Sequence, residues 1–265
     1  MLPFVPDIVP SILQALVIVV AVNLAVGPAL RKWAWLAYTV AALACILTFI
    51  PQVADIPAVG VALDILASCY TGVAIYLVVM FAGALPRPWK LTKRLLSIRS
   101  ELSILGGIII AFHVVKVIFF VPMSLTPMWT LIWKRASIWM FAASTLVGVP
   151  LLACFAIPWV TSFPAVRRRM THARWKKTQR LAYPFMALLV TQGILLSCGH
   201  AAYVGAADAG YAGYVVNAIT YTVIGVLYLV LKLVETKRRR KLKEPAQAAR
   251  PWQHATIAVG TMQLA

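Results

Sequence analysis

Residues 58–84 read AVGVALDILASCYTGVAIYLVVMFAGA, a long apolar run in which Asp64 is the single charged residue. A helix that crosses a bilayer needs about 20 mostly apolar residues. Further stretches of the chain meet that requirement, and together they make seven predicted spans: 8–29, 34–50, 58–84, 102–121, 137–160, 181–204 and 211–234. The sequence therefore predicts an all-α integral membrane protein, a bundle of seven helices.

The composition agrees with a membrane protein. Of the 265 residues, 62% are hydrophobic and 12% are charged, whereas soluble domains are about half apolar and about a quarter charged. The net charge is +18, but the basic residues lie between the apolar runs rather than on a soluble face. We interpret them as orientation signals and expect no nucleic-acid partner. Cys45, Cys69, Cys154 and Cys198 all lie inside apolar runs, without metal-site spacing, and are interpreted as small core residues.

Basic residues alternate between rich and poor connections along the chain. The first, third and fifth connections and the tail are rich, whereas the second and sixth carry only Asp55 and Asp208. Lys134 and Arg135, in the fourth connection, run against the pattern. The positive-inside bias then predicts an outer N-terminus and a cytoplasmic C-terminus in the plasma (inner) membrane. Residues 235–265 are expected to form a basic, disordered cytoplasmic tail.

Polar residues at membrane depth are costly, so each is a candidate for function. The candidates are Asp64 in the third span, His113 and Lys116 in the fourth, and Gln179, Gln192 and His200 along the sixth. Asp64 and Lys116 lie about equally far from the outer ends of consecutive spans, which predicts an ion pair that fixes helix register. The alternative is that Lys116 pairs with a cofactor carboxylate, such as a haem propionate.

Two short motifs resemble the ferric-reductase-like transmembrane domain superfamily. They are RSELSILGGIIIAFH, from Arg99 to His113, and WKKTQRLAY, from Trp175 to Tyr183. That superfamily includes NADPH oxidases, metalloreductases and the haem-binding membrane subunit of the bacterial methionine sulfoxide reductase system. The resemblance covers roughly residues 58–234 and implies a ferric-reductase-like core there. Residues 1–57 then form two N-terminal transmembrane helices, and the first span is an addition to the family's usual six.

The resemblance implies a haem site that this sequence matches only in part. In the family, a basic residue opens a helix whose haem-ligating His comes fourteen positions later, which corresponds here to Arg99 and His113. The later motif carries two more His ligands, and this chain has Gln179 and Gln192 at those positions. One haem b, with His113 as the iron ligand and Gln192 or water opposite, is one interpretation.

The other interpretation of these residues is structural. Gln179 and Gln192 are then hydrogen-bond formers between helices, and His113 is their partner. His200 lies eight residues beyond Gln192, ~12 Å further out at ~1.5 Å per residue, which suits an outer-interface residue better than an axial ligand.

Three functions are consistent with these residues. The first is a membrane subunit of a redox system that passes electrons across the bilayer through a haem at His113. The second is a haem-free, degenerate member that acts as an anchor or partner-binding subunit, and the third is a transporter or sensor.

The sequence leaves open whether the chain is an oxidoreductase subunit. It contains no nucleotide-binding or flavin-binding motif, so a redox function requires a separate partner protein in the cytoplasm or periplasm. The basic connection 161–180 is a candidate docking surface for that partner.

Overall fold

The computed structural model describes residues 9–117, 138–208 and 210–248, and these residues form helices with no strand among them. A 3₁₀ turn over Gln179–Leu181 joins the helix His172–Thr178 to the helix Ala182–Val204. The helices are α1 Ser11–Lys32, α2 Ala34–Leu47, α3 Pro51–Ala54, α4 Pro57–Leu66, α5 Cys69–Ala82, α6 Lys90–Ser97, α7 Arg99–Val115, α8 Ile138–Val160, α9 Pro164–Arg167, α10 His172–Thr178, α11 Ala182–Val204 and α12 Tyr211–Ala248.

Several of these helices have the length and apolar character of membrane spans. Four segments qualify, and a fifth is added if α6 and α7, which bend by 60° at their junction, count as one span. The four segments are Pro57–Ala82, Ala142–Val160, His172–Val204 and Tyr211–Lys241. Apolar side chains also face outward, as with Leu146, which is 77% exposed. The prediction of an all-helical chain with membrane-length helices is confirmed for these segments. Part of the predicted span 102–121 lies outside the described residues.

The stretch 58–84 is not one continuous helix. It divides at Ala67 and Ser68 into α4 and α5. The Ser68 hydroxyl caps α5 by accepting from the amide of Thr71 at 3.2 Å. The Thr71 hydroxyl donates to the carbonyl oxygen of Ile65 at 2.5 Å, so it satisfies a backbone group that the division frees.

Helix α5 is the centre of the described bundle, because most of its residues are buried against α1 and α7. The contact with α7 is made at two glycines. A Cβ on Gly72 would lie 2.8 Å from Ile110, and a Cβ on Gly106 would lie 2.9 Å from Ile75. Small residues of this kind let two helix backbones approach closely in a membrane.

An aromatic cluster joins α5, α8 and α11. The Tyr76 ring centroid lies 5.6 Å from that of Phe155 and 5.3 Å from that of Phe185, and Trp159 stacks on Phe155 at 5.5 Å. The Tyr76 hydroxyl donates to the carbonyl oxygen of Ser103 at 3.0 Å, which ties α7 to the same cluster. Tyrosine suits this place because its ring packs and its hydroxyl finds an acceptor.

The last helix is longer than the sequence predicted. α12 continues to Ala248, so residues 235–248 are helical where a disordered tail was expected. Lysine and arginine are good helix formers, and Glu235 pairs with Arg239 one turn later at 2.8 Å. The remainder of the expected tail, 249–265, lies outside the described residues.

Candidate functional site

Two cavities lie at opposite ends of α5 and α7. The basic cavity, which contains Arg99, is lined by the end of α5, the start of α7 and the second half of α8. The His113 cavity is lined by the end of α2, by α4, by the start of α5 and by the end of α7. Arg99 and Lys116, which stand at the two ends of α7, are about 25 Å apart along the axis at ~1.5 Å per residue.

The basic cavity has a volume of about 230 Å³ and two chemically different sides. Its apolar side includes Val79, Met80 and Phe155. Its polar side is lined by Arg99, Ser100, Ser103, Ser162, Arg167 and Gln179. The cavity is therefore amphipathic, with cationic groups and hydroxyls facing aromatic and aliphatic side chains.

Gln179 is held in this cavity by the end of α8. Its side-chain nitrogen donates to the carbonyl oxygen of Pro158 at 3.2 Å and to the hydroxyl of Thr161 at 3.2 Å. The last carbonyls of a helix have no partner within the helix, so the Gln179 amide caps α8. This geometry agrees with the interpretation of Gln179 as a hydrogen-bond former between helices.

In the part of the chain that the structure describes, the cationic groups of the basic cavity have no carboxylate partner. Among the described residues, neither Arg99 nor Arg167 forms an ion pair within 4.0 Å. The Arg167 guanidinium lies over the Trp175 ring, 4.5 Å from its centroid. The Trp175 indole nitrogen is buried and has no hydrogen-bond partner within the described part of the chain. The cavity thus offers two cations and one unpaired donor.

The His113 cavity has a volume of about 280 Å³ and brings together several of the residues that the sequence singled out. Asp64, His113 and Lys116 all line it, together with the thiols of Cys45 and Cys69. No group of three or more His, Cys, Asp or Glu side chains in the described ranges is close enough to hold a metal ion.

The expected ion pair between Asp64 and Lys116 is not formed. Both side chains are exposed, and no ion pair within 4.0 Å joins them in the described residues. The Lys116 ammonium lies over the Phe49 ring instead, 5.9 Å from its centroid. The prediction of a pair was wrong because it took the two residues to be buried against each other, whereas both side chains are exposed at the His113 cavity.

Gln192 and His200 line neither cavity. The Gln192 nitrogen lies 3.8 Å from the position of a Cβ on Gly148, so this side chain faces α8, and its oxygen is buried without a described partner. The His200 ring bonds its own helix at the Leu196 carbonyl, 2.7 Å away, and stacks on Tyr214 at 5.1 Å. The structure therefore brings Asp64, His113 and Lys116 into one cavity and separates them from Gln179, Gln192 and His200.

These positions do not fit a haem held between His113 and Gln192. The His113 cavity is bounded by α2, α4, α5 and α7, whereas Gln192 lies on α11 and faces α8. The 280 Å³ of the His113 cavity is also below the roughly 300–1,000 Å³ of sites that enclose a drug-sized ligand. A tetrapyrrole on His113 therefore requires a wider cavity than the one observed.

Sequence reasoning overlooked the cationic side of the basic cavity. Arg167 entered only as part of the basic connection 161–180, Trp175 as the first residue of a family-like motif, and Arg99 as the residue that opens a helix. The topology could have predicted this grouping. Arg99 begins one span, and the connection 161–180 leads into a later span that runs in the same direction, so the positive-inside rule places both on the same membrane face.

Comparisons with known proteins add one partial match. No family model matches the chain, and no solved structure matches it. A protein of Treponema pallidum (strain Nichols), described only as uncharacterized, is 35% identical over 103 residues, which are 38% of this chain and 26% of that protein. The match covers about a quarter of the relative's length, and its description states no activity.

Proposed function

We propose that the chain is a seven-helix protein of the plasma (inner) membrane, with an outer N-terminus, that works as a haem-free partner-binding subunit. In this proposal it is a degenerate relative of the ferric-reductase-like proteins, and its partner is a redox protein with an acidic surface. The contact surface is the basic connection between α8 and α11.

Contacts between distant segments support the orientation. The Arg94 guanidinium of α6 donates to the carbonyl oxygen of Leu24 in the second half of α1, at 2.6 Å. The Lys232 ammonium of α12 lies over the Tyr183 ring at the start of α11, 5.0 Å from its centroid. One contact joins the third connection to the second half of α1, and the other joins the last span to the start of α11, so basic residues of distant segments lie at matching helix ends, as the positive-inside rule expects of a cytoplasmic face.

The observation that carries the proposed function is the exposed positive charge of the basic connection between α8 and α11. Besides Arg167, which is exposed and lies over the Trp175 ring, six cationic side chains on it are exposed, and none of the six forms an ion pair within 4.0 Å in the described residues: Arg168, Arg169, Arg174, Lys176, Lys177 and Arg180. A dense patch of one charge attracts an oppositely charged protein and speeds its association. An acidic redox partner has the complementary chemistry.

The positions of the former ligand residues support the haem-free part of the proposal. Gln179 caps α8, Gln192 faces Gly148, and His113 lines a cavity that neither glutamine reaches. A glutamine amide is also a poor ligand for haem iron, which proteins usually hold with His, Cys, Met or Tyr.

The docking surface is tested by partner capture. The purified protein should retain an acidic partner from the cytoplasmic fraction at about 0.1 M salt and release it at about 1 M, where the Debye length falls from about 10 to about 3 Å. The triple variant Arg168→Gln, Arg169→Gln, Arg174→Gln should lose the partner. The control is Lys237→Gln, Arg240→Gln, Lys241→Gln, which removes the same charge from α12. Equal capture by both variants would refute the docking surface.

A single haem at His113 for transmembrane electron transfer is the second candidate function. One observation favours it: His113 lines an internal cavity together with Lys116, the expected partner of a propionate. A reduced-minus-oxidised absorption spectrum of the protein from haem-replete cells separates the two candidates. A Soret and α band that disappears in His113→Ala would favour the haem protein, whereas a folded protein without these bands would favour the haem-free subunit.

A further inference from the structure

We propose that the basic cavity binds the phosphate of an anionic membrane phospholipid. Arg99, Arg167 and the Trp175 indole nitrogen are the groups that hold it, and the acyl chains leave along the apolar side of the cavity. Arg167 and Trp175 belong to the same connection as the docking surface, but the site uses none of the six cations assigned to docking and is separate from the His113 cavity, so the inference holds for either candidate function.

Charge is the first argument for an anion. Arg99 is half-buried at the start of α7, and no described carboxylate lies within 4.0 Å of it. The nearest acid in sequence, Glu101, accepts a hydrogen bond from the Ser100 hydroxyl at 2.8 Å and does not line the cavity. A partly desolvated cation without a counter-ion is costly, and an anionic ligand removes that cost.

The unpaired donor is the second, independent argument. Buried polar groups in native proteins almost always have a partner, and the Trp175 indole nitrogen has none in the described residues. Arg167 stacks on the same ring at 4.5 Å, so a cation and a donor lie side by side on the cavity wall. An oxyanion that accepts from both would satisfy the donor and neutralise the charge.

The apolar side of the cavity selects a lipid over a soluble anion. Val79, Met80 and Leu96 line the cavity beside the cations. Val79 and Met80 are only 5% exposed, so the wall beside the cations is apolar core. The glycerol and upper acyl chains of a phospholipid can make apolar contacts there, whereas a free phosphate has no apolar part. The cavity volume of about 230 Å³ equals roughly eight water molecules at about 30 Å³ each, enough for a head group but not for whole acyl chains.

The location agrees with this ligand. The cavity lies at the start of α7 and beside the basic connection between α8 and α11, which the proposed orientation places at the cytoplasmic leaflet. That leaflet carries the anionic lipids, and basic pockets between membrane helices on this side bind lipid head groups. The N-terminus of α7 adds the positive end of a helix dipole at the same place.

The test is native mass spectrometry of the full-length, detergent-purified protein with phosphatidylglycerol, phosphatidylcholine or inorganic phosphate. We expect one phosphatidylglycerol to bind and to raise the thermal unfolding midpoint, and the other two probes to do neither. Arg99→Gln should weaken phosphatidylglycerol binding about tenfold or more, because it removes a charge-assisted hydrogen bond. Trp175→Phe keeps the aromatic ring, removes the donor, and should weaken binding as well.

Arg168→Gln is the matched control, because it removes the same charge from an exposed position that does not line the cavity. It should bind phosphatidylglycerol as the parent does. If Arg99→Gln does not fold, Trp175→Phe and Arg167→Gln decide the matter. Equal weakening by Arg168→Gln would overturn the site in favour of general surface attraction. Stabilisation by inorganic phosphate alone, lost in Trp175→Phe, would overturn the lipid and assign the cavity to a soluble phosphate.

Discussion

At the residue scale, Gly107 on α7 lies directly against the Trp159 indole of α8. A Cβ at this position would overlap the Trp159 indole, whose nitrogen donates to the carbonyl oxygen of Ile104 at 3.4 Å. Gly107→Ala should therefore displace the indole and lower the free energy of unfolding by about 1–3 kcal/mol, the usual cost of overpacking. Thermal or denaturant unfolding in detergent measures the effect.

The control for this prediction is another alanine in a membrane helix. Among the described atoms, a Cβ on Gly148 would meet only the Gln192 nitrogen, at an ordinary 3.8 Å. Gly148→Ala should leave stability unchanged or raise it slightly, because alanine favours the helix. Equal stability of Gly107→Ala and the parent would mean that the indole does not occupy this space.

Asp64 provides a second prediction at the same scale. Because the Asp64 carboxylate is exposed and unpaired with Lys116, Asp64→Asn should change the free energy of unfolding by no more than about 0.5 kcal/mol. A buried ion pair broken on one side would cost about 3–5 kcal/mol. The free energies of unfolding of Asp64→Asn, Lys116→Gln and the double variant separate these two cases. A loss of about 3–5 kcal/mol in Asp64→Asn would show that the buried ion pair exists after all.

The candidate site was predictable in its residue types but not in its groupings. Hydropathy alone identifies His113 and Lys116 as costly residues, and the structure does bring these two into one cavity. Counting residues along a helix gives the depth of His113 and Gln192, which is nearly equal, but it does not give the direction each side chain faces. That direction depends on which helices are neighbours, and this information is not local in the sequence.

At the element scale, the stretch 58–84 divides into the two helices α4 and α5, a break that an average of hydropathy over the stretch does not reveal. The whole stretch is apolar enough to span a membrane, and averaging over it hides the short motif at Ser68 and Thr71. A serine just before an apolar run is a helix start signal, because its hydroxyl can accept from the backbone amide three residues later. The local chemistry of two side chains therefore decides where α5 begins, within a run that averages as one span.

The contact between α11 and α12 gives a prediction at this scale. The Asn217 side-chain nitrogen donates to the Ser197 hydroxyl at 2.7 Å, and the two helices share the close contact of Gly193 with the Tyr221 ring. Hydrogen bonds between membrane helices contribute about 0.6 kcal/mol on average and at most about 1.7. A double-mutant cycle with Asn217→Ala and Ser197→Ala should give a coupling energy in that range.

Thr191 provides the control for this cycle. It lies on α11 as well, but its hydroxyl is bonded to the carbonyl of Ala187 in its own helix and its side chain is exposed. A cycle between Asn217→Ala and Thr191→Ala should show no coupling. If both cycles give a coupling energy of zero, the hydrogen bond between Asn217 and Ser197 does not stabilise the contact between α11 and α12.

At the scale of the whole molecule, the charge pattern of the sequence and the packing of the helices point to the same arrangement. The sequence places basic residues in alternate connections without saying whether those connections meet. The contacts of Arg94 with Leu24 and of Lys232 with Tyr183 join segments far apart in the chain at matching helix ends. The number of spans is harder to predict, because the apolar stretches of α1 and α2 are short and α6 bends into α7.

The proposed orientation is tested by thiol labelling in intact cells. The Asp208→Cys variant, between α11 and α12, should react with a membrane-impermeant maleimide in intact cells. The Lys176→Cys variant, in α10, should react only after the cells are opened. The four native cysteines are buried or half-buried and free, so the parent protein measures the background. Both positions are exposed in the fold, so a difference between them reports the side of the membrane rather than burial. If the cysteine at position 176 is labelled in intact cells and the one at position 208 is not, the topology is the opposite of the proposed one. The basic cavity and the docking surface would then lie on the outer face, where a cytoplasmic partner could not reach them.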